Sequence, residues 1–416
     1  MQHRLAGFFR AFGPGILFAA TAIGVSHLVQ ATRAGGLYGY GLFWAIVAAN
    51  LFKYPFFEYG SRYANVTGKN LLKGYHAWSP WILRIYVLAV LGSMFTVTAG
   101  VSIVTAALLS KVLGWGGALY ELTLLLYTGC LVILLAGRFR ALDRFVKMVA
   151  LVLLVSTLLA FVATLMHPVQ MHVNFVPINW LEDAGSVMFI IALMGWMPTA
   201  VDLSTWNSLW TEARIRDTGY KPTLKETLLD FRVGYWISAL LALVFLFLGA
   251  RLMYYPMEVF PEGAVGFVDT LMQLYTKNLG SWSYWVILIA AFSIMLSTTI
   301  TVFDGYGRVL RECTQLLIPR AQKWPVYQMV VVALALGGIL LIHYYATRMS
   351  VLLDIATGIS FVIAPIIAWF NYKVIFANDF PQWAKPGKFL KWLSVLGLIF
   401  LGLFTLMFLG WLGFAH

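Results

Sequence analysis

Apolar stretches of roughly 20 residues recur along the chain, separated by short polar or basic segments. That is the pattern of helices that cross a bilayer. About eleven such stretches can be read, at 12–34, 38–64, 80–110, 117–136, 142–165, 184–209, 229–253, 282–306, 325–344, 349–375 and 390–413. Two of them are interrupted at corresponding points. The first opens on Gly13-Pro14-Gly15 and reaches Gly24-Val25-Ser26-His27, and the sixth carries Gly195-Trp196-Met197-Pro198-Thr199-Ala200-Val201-Asp202. A helix broken inside a membrane exposes backbone groups that lipid cannot satisfy, so such breaks persist where they line a cavity or a solute site. A pair of them, one opening each half of the chain, is the pattern of a secondary transporter built from inverted repeats. Unwinding is expected near Gly24 to His27 and near Gly195 to Thr199, with the two breaks facing each other.

Composition excludes an ordinary soluble protein: of 416 residues, 61% are hydrophobic and 11% charged. The net charge of +12 is explained by topology, not by nucleic acid. With the N-terminus placed inside, only Arg33, Lys111, Arg251, Lys277 and Arg348 of the 29 Lys and Arg residues fall outside, apart from Lys53 within a span. Such a bias marks the inner side. The expected location is the cell membrane, multi-pass, with a cytoplasmic N-terminus and, after an odd number of spans, the C-terminal His416 outside. The basic segment 1–10 reads as a lead-in, not a signal peptide. Cys130 and Cys313 support neither a disulfide framework nor a cysteine metal site.

The first broken span runs inward to outward, and five spans later the second runs the opposite way. Residues 1–376 are therefore expected to form a ten-helix core, with repeat one at about 12–165 and repeat two at about 184–375. Residues 377–416 then hold a cytoplasmic connector and an eleventh span. The longest loops are expected at 166–183 and 254–281, and 211–228 reads as a solvated connector.

Several motifs resemble the Nramp family of divalent-metal transporters. They are Gly13-Pro14-Gly15, Ala34-Gly35-Gly36, Val66-Thr67-Gly68-Lys69, Met197-Pro198 and Ser297-Thr298-Thr299-Ile300-Thr301, with 50–68 aligning without a gap. The resemblance implies an all-α integral membrane protein of LeuT-type fold, a 5+5 inverted repeat with helices 1 and 6 broken. The family's Asp-Pro-Gly-Asn is replaced here by Gly24-Val25-Ser26-His27, so Gly24 stands for the ligating acid and His27 for the amide. Its Met-Pro-His-Asn becomes Met197-Pro198-Thr199-Ala200, which keeps the soft Met ligand and loses the His tied to proton movement. The Glu that follows the first motif aligns with Val29, and 91–108 holds no carboxylate.

The candidate substrate site is Gly24, Ser26, His27, Met197, Thr199 and Asp202, with His27, Met197 and Asp202 as candidate metal ligands. Imidazole and thioether favour transition metals over magnesium or calcium. Asp202, four residues beyond Pro198, is the carboxylate nearest either break and is a candidate N-cap as well. Ser297 and Thr298 align with a position where the LeuT-type fold can help bind a coupling ion. Asp304 and Arg308 are spaced to pair, and Lys53, Glu58 and Asp354 are candidates for internal pairs or gating contacts. His167 and His172, with Met166 and Met171, are more economically a loop than a metal site.

Two functions compete, and the retained Met197 favours the first. That one is alternating-access transport of a metal cation held between the breaks. The other is transport of a small organic solute or monovalent ion by a LeuT-type fold that has lost divalent-metal and proton-coupling chemistry. No nucleotide loop, HExxH or Ser/His/Asp constellation supports an enzyme. No cofactor or nucleic-acid partner is expected; the partners are the substrate and membrane lipid, and the assembly a monomer or homodimer.

Overall fold

In the computed structural model, which describes residues 14–116, 118–136, 139–166, 184–257 and 261–414, every regular element is helical. Helix one is divided into α1 (Pro14–Ala22), a π-helical segment (Ser26–Ala31) and α2 (Thr32–Tyr38). Then come α3 (Phe43–Thr67), α4 (Leu71–Trp78), α5 (Pro80–Leu113), α6 (Leu119–Leu135) and α7 (Phe139–Met166). Helix six is split into α8 (Ala184–Gly195) and α9 (Leu203–Thr218). The chain continues through α10 (Leu224–Gly249) with a π extension (Ala250–Tyr254), α11 (Ala264–Leu279), α12 (Ser283–Leu317), α13 (Val326–Tyr345), α14 (Met349–Ile375) and α15 (Lys388–Phe414). Each apolar stretch read from the sequence lies on one of these helices or on a broken pair. Among the described residues, α5, extended α10, α12, α13, α14 and α15 are long and apolar enough to cross a membrane.

Local signals set the helix ends. α3 stops at Gly68 with φ +68°, a left-handed conformation that favours glycine. Asn70 then caps α4, its side chain accepting from the Lys73 N–H at 3.1 Å, and Ser79-Pro80 opens α5. Two loop expectations change. Within 211–228, α9 runs on to Thr218, and a capping box between Thr223 and Glu226 starts α10. The charges there decorate solvated helix ends, so charge alone is a poor sign of irregular backbone. Within 254–281, α11 forms; its apolar face packs on α5 and α12.

Apolar side chains gain little from meeting each other instead of lipid tails, so tight backbone approach has to hold the helices together. Glycine permits it here. A Cβ on Gly15 would fall 2.1 Å from the Asp230 carbonyl oxygen, and one on Gly35 would fall 2.0 Å from that of Leu246. Those contacts press both halves of helix one against α10, and Asp230 also accepts the Gly15 N–H at 2.7 Å. α1, α3, α9 and α10 pack as one group, while α5, α7, α12 and α13 pack as another. α14 lies along α5 and α8. The two helix breaks sit where the groups meet.

Candidate substrate site

The break in helix one is at Ile23-Gly24, with the π segment following it. The Gly24 N–H turns to the Ala22 carbonyl at 2.9 Å, and the Leu28 N–H returns to Gly24 at 2.9 Å. Hydroxyls take up displaced carbonyls: Thr21 donates to Leu17 at 2.8 Å and Ser26 to Ala22 at 2.7 Å. Irregularity thus begins before the expected stretch, and Ser26 and His27 are helical again, in wider π turns. In helix six the irregular run is Trp196 to Asp202, with a cis Met197–Pro198 bond. Trp196 anchors it by donating its indole N–H to Ser360 at 2.9 Å.

Between the breaks lies a cavity of about 40 Å³. Thr21, Ala22, Val25 and Ser26 line it from helix one; Trp196, Thr199, Ala200, Leu203 and Trp206 from helix six. Val97 and Val101 of α5 and Thr298, Val302 and Tyr306 of α12 close the far wall. All of these residues are buried. The lining is apolar with a few hydroxyls and two indoles. A volume on this scale admits a few waters or a solute of similar size.

Among the residues singled out from sequence, Ser26, Thr199 and Thr298 line this cavity. Gly24 faces it through Thr298, whose side chain lies 3.2 Å from where a Cβ would stand. The other candidates are directed elsewhere. His27 is fully buried against α10: its Nε2–H donates to the Ser238 carbonyl at 2.8 Å, and Nδ1 lies 2.7 Å from the Ser26 hydroxyl, whose proton can turn to it or to the Ala22 carbonyl. With both nitrogens engaged, the imidazole has no lone pair aimed at the cavity. Met197, with no exposed surface, lies outside the lining, and so does the buried Ser297. Asp202 occupies the N-cap of α9 without a side-chain cap bond. Its Oδ2 accepts from Tyr306 at 3.5 Å and its Oδ1 has no partner. Among the described residues no three His, Cys, Asp or Glu side chains gather as a metal site. His167, Met171 and His172 lie outside the described residues.

Three features escaped sequence reasoning. Trp206 forms a wall of the cavity, edge-on to Tyr306 at 4.9 Å, and its buried Nε1–H has no partner. Tyr306 links the cavity to Asp202. Lys53, marked in the sequence as a charge within a span, sends its ammonium to backbone carbonyls at the helix-six break. An intramembrane charge announces a functional or structural partner, but its spacing along α3 does not name one.

The ends of the molecule are tied by ion pairs. At one, Arg33 of α2 donates to Asp354 of α14 at 2.8 and 3.1 Å and to Gln30 at 2.7 Å. At the other, buried Glu58 accepts from Tyr54, Arg62 and Arg232. There too, Lys73 of α4 meets Glu212 at 2.6 Å and Glu312 at 3.5 Å. Burial works against the Lys73 charge, but the two carboxylates outweigh it and hold its pKa above the ordinary lysine value. Asp304 pairs with Arg308 at 2.6 Å, as their spacing predicted.

A helical membrane fold with two broken helices facing each other across a small buried cavity has the architecture of the LeuT-type fold. Within it, the family described as natural resistance-associated macrophage protein-like, Nramp, matches residues 15–410. The chain belongs to that family, which makes it a transport protein and not an enzyme. It is 34% identical over 414 residues to Uncharacterized protein PM0681 of Pasteurella multocida (strain Pm70), covering 97% of this chain and 94% of that one. Its fold is similar to a mutant of the Eremococcus coleocola manganese transporter, with a TM-score of 0.70 at 13% identity over 96% of this chain and 86% of that one. A nucleobase-cation-symport-1 family transporter in a closed conformation is also similar, with a TM-score of 0.56 at 13% identity over 96% and 92% of the two chains.

Proposed function

We propose that the chain is an alternating-access secondary transporter that carries a small organic solute or a monovalent ion in the cavity between the two breaks. One observation carries this reading: the lining supplies hydroxyls, apolar walls and the unpaired Trp206 N–H, but no carboxylate, imidazole or thioether. An indole N–H is a donor only, so it suits an acceptor atom of a solute and contributes nothing to a cation. A divalent ion within a membrane calls for firmly placed anionic or soft ligands. Ion pairs at both ends of the bundle support an occluded state, and access to either side requires one set to part at a time. In this reading the ten-helix core forms two inverted repeats, with the N-terminus cytoplasmic and the C-terminus outside.

The second reading, a metal cation as substrate, is favoured by the unpartnered Oδ1 of buried Asp202 and by the manganese transporter among the similar folds. Rotation of Asp202 and Met197 toward the cavity would then be part of the transport cycle.

A binding panel on purified protein separates the two. Calorimetry and thermal shift with manganese, sodium, potassium, amino acids and small amides should give a signal for a monovalent ion or an organic solute and none for manganese. Micromolar manganese binding by the unaltered protein would replace the first reading with the second. A reporter fused after His416 should be outside; a cytoplasmic one overturns the inverted-repeat arrangement.

A further inference from the structure

Lys53 stands on α3 with no exposed surface. Its Nζ donates to the Met194 carbonyl at 2.5 Å, the Gly195 carbonyl at 2.8 Å and the Thr199 carbonyl at 3.4 Å. An ammonium has three N–H donors and no acceptor, so these oxygens account for its donor set. Met194 and Gly195 are the last residues of α8, and Thr199 lies within the break. The C-terminal carbonyls of a half-helix have no partner within the helix and carry the negative end of its dipole. In broken-helix transporters these ends, with unwound carbonyls, are where cations are coordinated.

Besides Lys53, the Met194 carbonyl accepts the Met197 N–H at 3.4 Å. α14 presses so closely on the end of α8 that a Cβ on Gly195 would fall 2.1 Å from the Thr357 carbonyl oxygen. That contact closes one side to water or an added side chain. Three carbonyl oxygens thus surround the Lys53 nitrogen, as they would a monovalent cation.

We propose that Lys53 is a tethered cation: its ammonium occupies a carbonyl site at the end of α8 that otherwise takes a free monovalent cation. The helix-six break then keeps its shape without recruiting an ion there. This assignment concerns the backbone site beside the cavity and does not depend on what the cavity carries.

Chemical rescue tests it. Purified wild type and Lys53→Ala are melted in choline chloride and, at matched ionic strength, in methylammonium, potassium or sodium chloride. Lys53→Ala should melt several degrees below wild type in choline and recover part of that loss in methylammonium, the free counterpart of the deleted group. Wild type should show no such gain. A Lys53→Ala protein that melts with wild type, or that gains nothing over choline from any of the three cations, overturns the proposal.

Lys53→Gln separates charge from hydrogen bonding, because its amide still donates to carbonyls. It should be destabilised and rescued in the same way. A Gln variant as stable as wild type and indifferent to cations shows that donors alone suffice, which also overturns the proposal. If neither variant folds in choline, both are expressed and purified in methylammonium; recovery of folded protein supports the tethered cation, and its absence counts against it.

Discussion

Arg33 and Asp354 meet at 2.8 Å through Nη1 and Oδ1 and at 3.1 Å through Nη2 and Oδ2, joining the second half of helix one to α14. The side chains are 7% and 20% exposed, so this is a largely buried, two-point ion pair. Phe189 of α8 lies beneath the guanidinium, with 5.0 Å from its carbon to the ring centroid. One pair therefore ties together both broken helices and α14 at a single end of the molecule.

Breaking that pair should open this end and cost stability. Loss of one partner strands a buried charge, an effect of about 3 kcal/mol. Arg33→Gln and Asp354→Asn should each lower thermal stability, and the double variant should lose less than the sum of the two. A thiol introduced as Thr298→Cys, on the cavity wall, should be labelled faster by a water-soluble reagent when Asp354→Asn is present. Equal labelling rates would mean the pair is structural and does not control access.

Close backbone contact, and not glycine content as such, should decide which glycines tolerate a methyl group. Gly195→Ala places a Cβ 2.1 Å from the Thr357 carbonyl oxygen, and backbone cannot move aside cheaply. Overpacking of this kind costs about 2 kcal/mol or more. Gly92 lies in α5 with nothing within 4 Å of its Cβ position, and Gly92→Ala should be neutral or stabilising by about 0.5 kcal/mol. Thermal melts of the two variants in the same detergent check the contrast.

Trp206→Phe removes a buried N–H that has no partner while keeping an aromatic wall. Deleting an unsatisfied group brings no loss of internal hydrogen bonding, so the melting temperature should stay within a degree or two of wild type, an effect of under about 0.5 kcal/mol. If the N–H donates to the solute, apparent affinity for transport should fall about fivefold, the worth of one neutral hydrogen bond. Unchanged transport kinetics would remove Trp206 from the binding contacts.

Gly24→Asp tests the two substrate readings directly. The new Cβ stands 3.2 Å from the Thr298 side chain, so Thr298 has to shift by a few tenths of an ångström and the carboxylate enters the cavity. With a small organic solute or monovalent ion as cargo, transport should fall and manganese binding should not appear. With a metal as cargo, the added charge should tighten manganese binding by calorimetry, and Asp202→Asn should abolish it in an otherwise folded protein.

Much of this architecture was legible because its causes are local. Apolar length marks a helix, and Gly24 and Pro198 mark the breaks, since backbone freedom and a missing N–H act wherever those residues stand. The Asp304–Arg308 pair was legible for the same reason, both residues lying on one face of one helix. His27 was not. It shares the break with Ser26, but the slight rewinding of the π segment turns its ring toward Ser238 on α10 and leaves Ser26 on the cavity.

The sequence by itself determined the helical membrane class, the order of the helices and the neighbourhood of both breaks, which follow from residue type and spacing along the chain, and its motifs carried the resemblance to the Nramp family. The tertiary structure alone decided which faces meet. It turned Trp206 and Tyr306 to the cavity, Met197 away from it, and Lys53 to the carbonyls of α8. Helix rotation in lipid is set by backbone contacts between segments far apart in sequence, such as Gly15 on Asp230 and Gly195 on Thr357. Neither member of such a pair carries a mark of the other, because between helices in lipid the packing itself selects the partner.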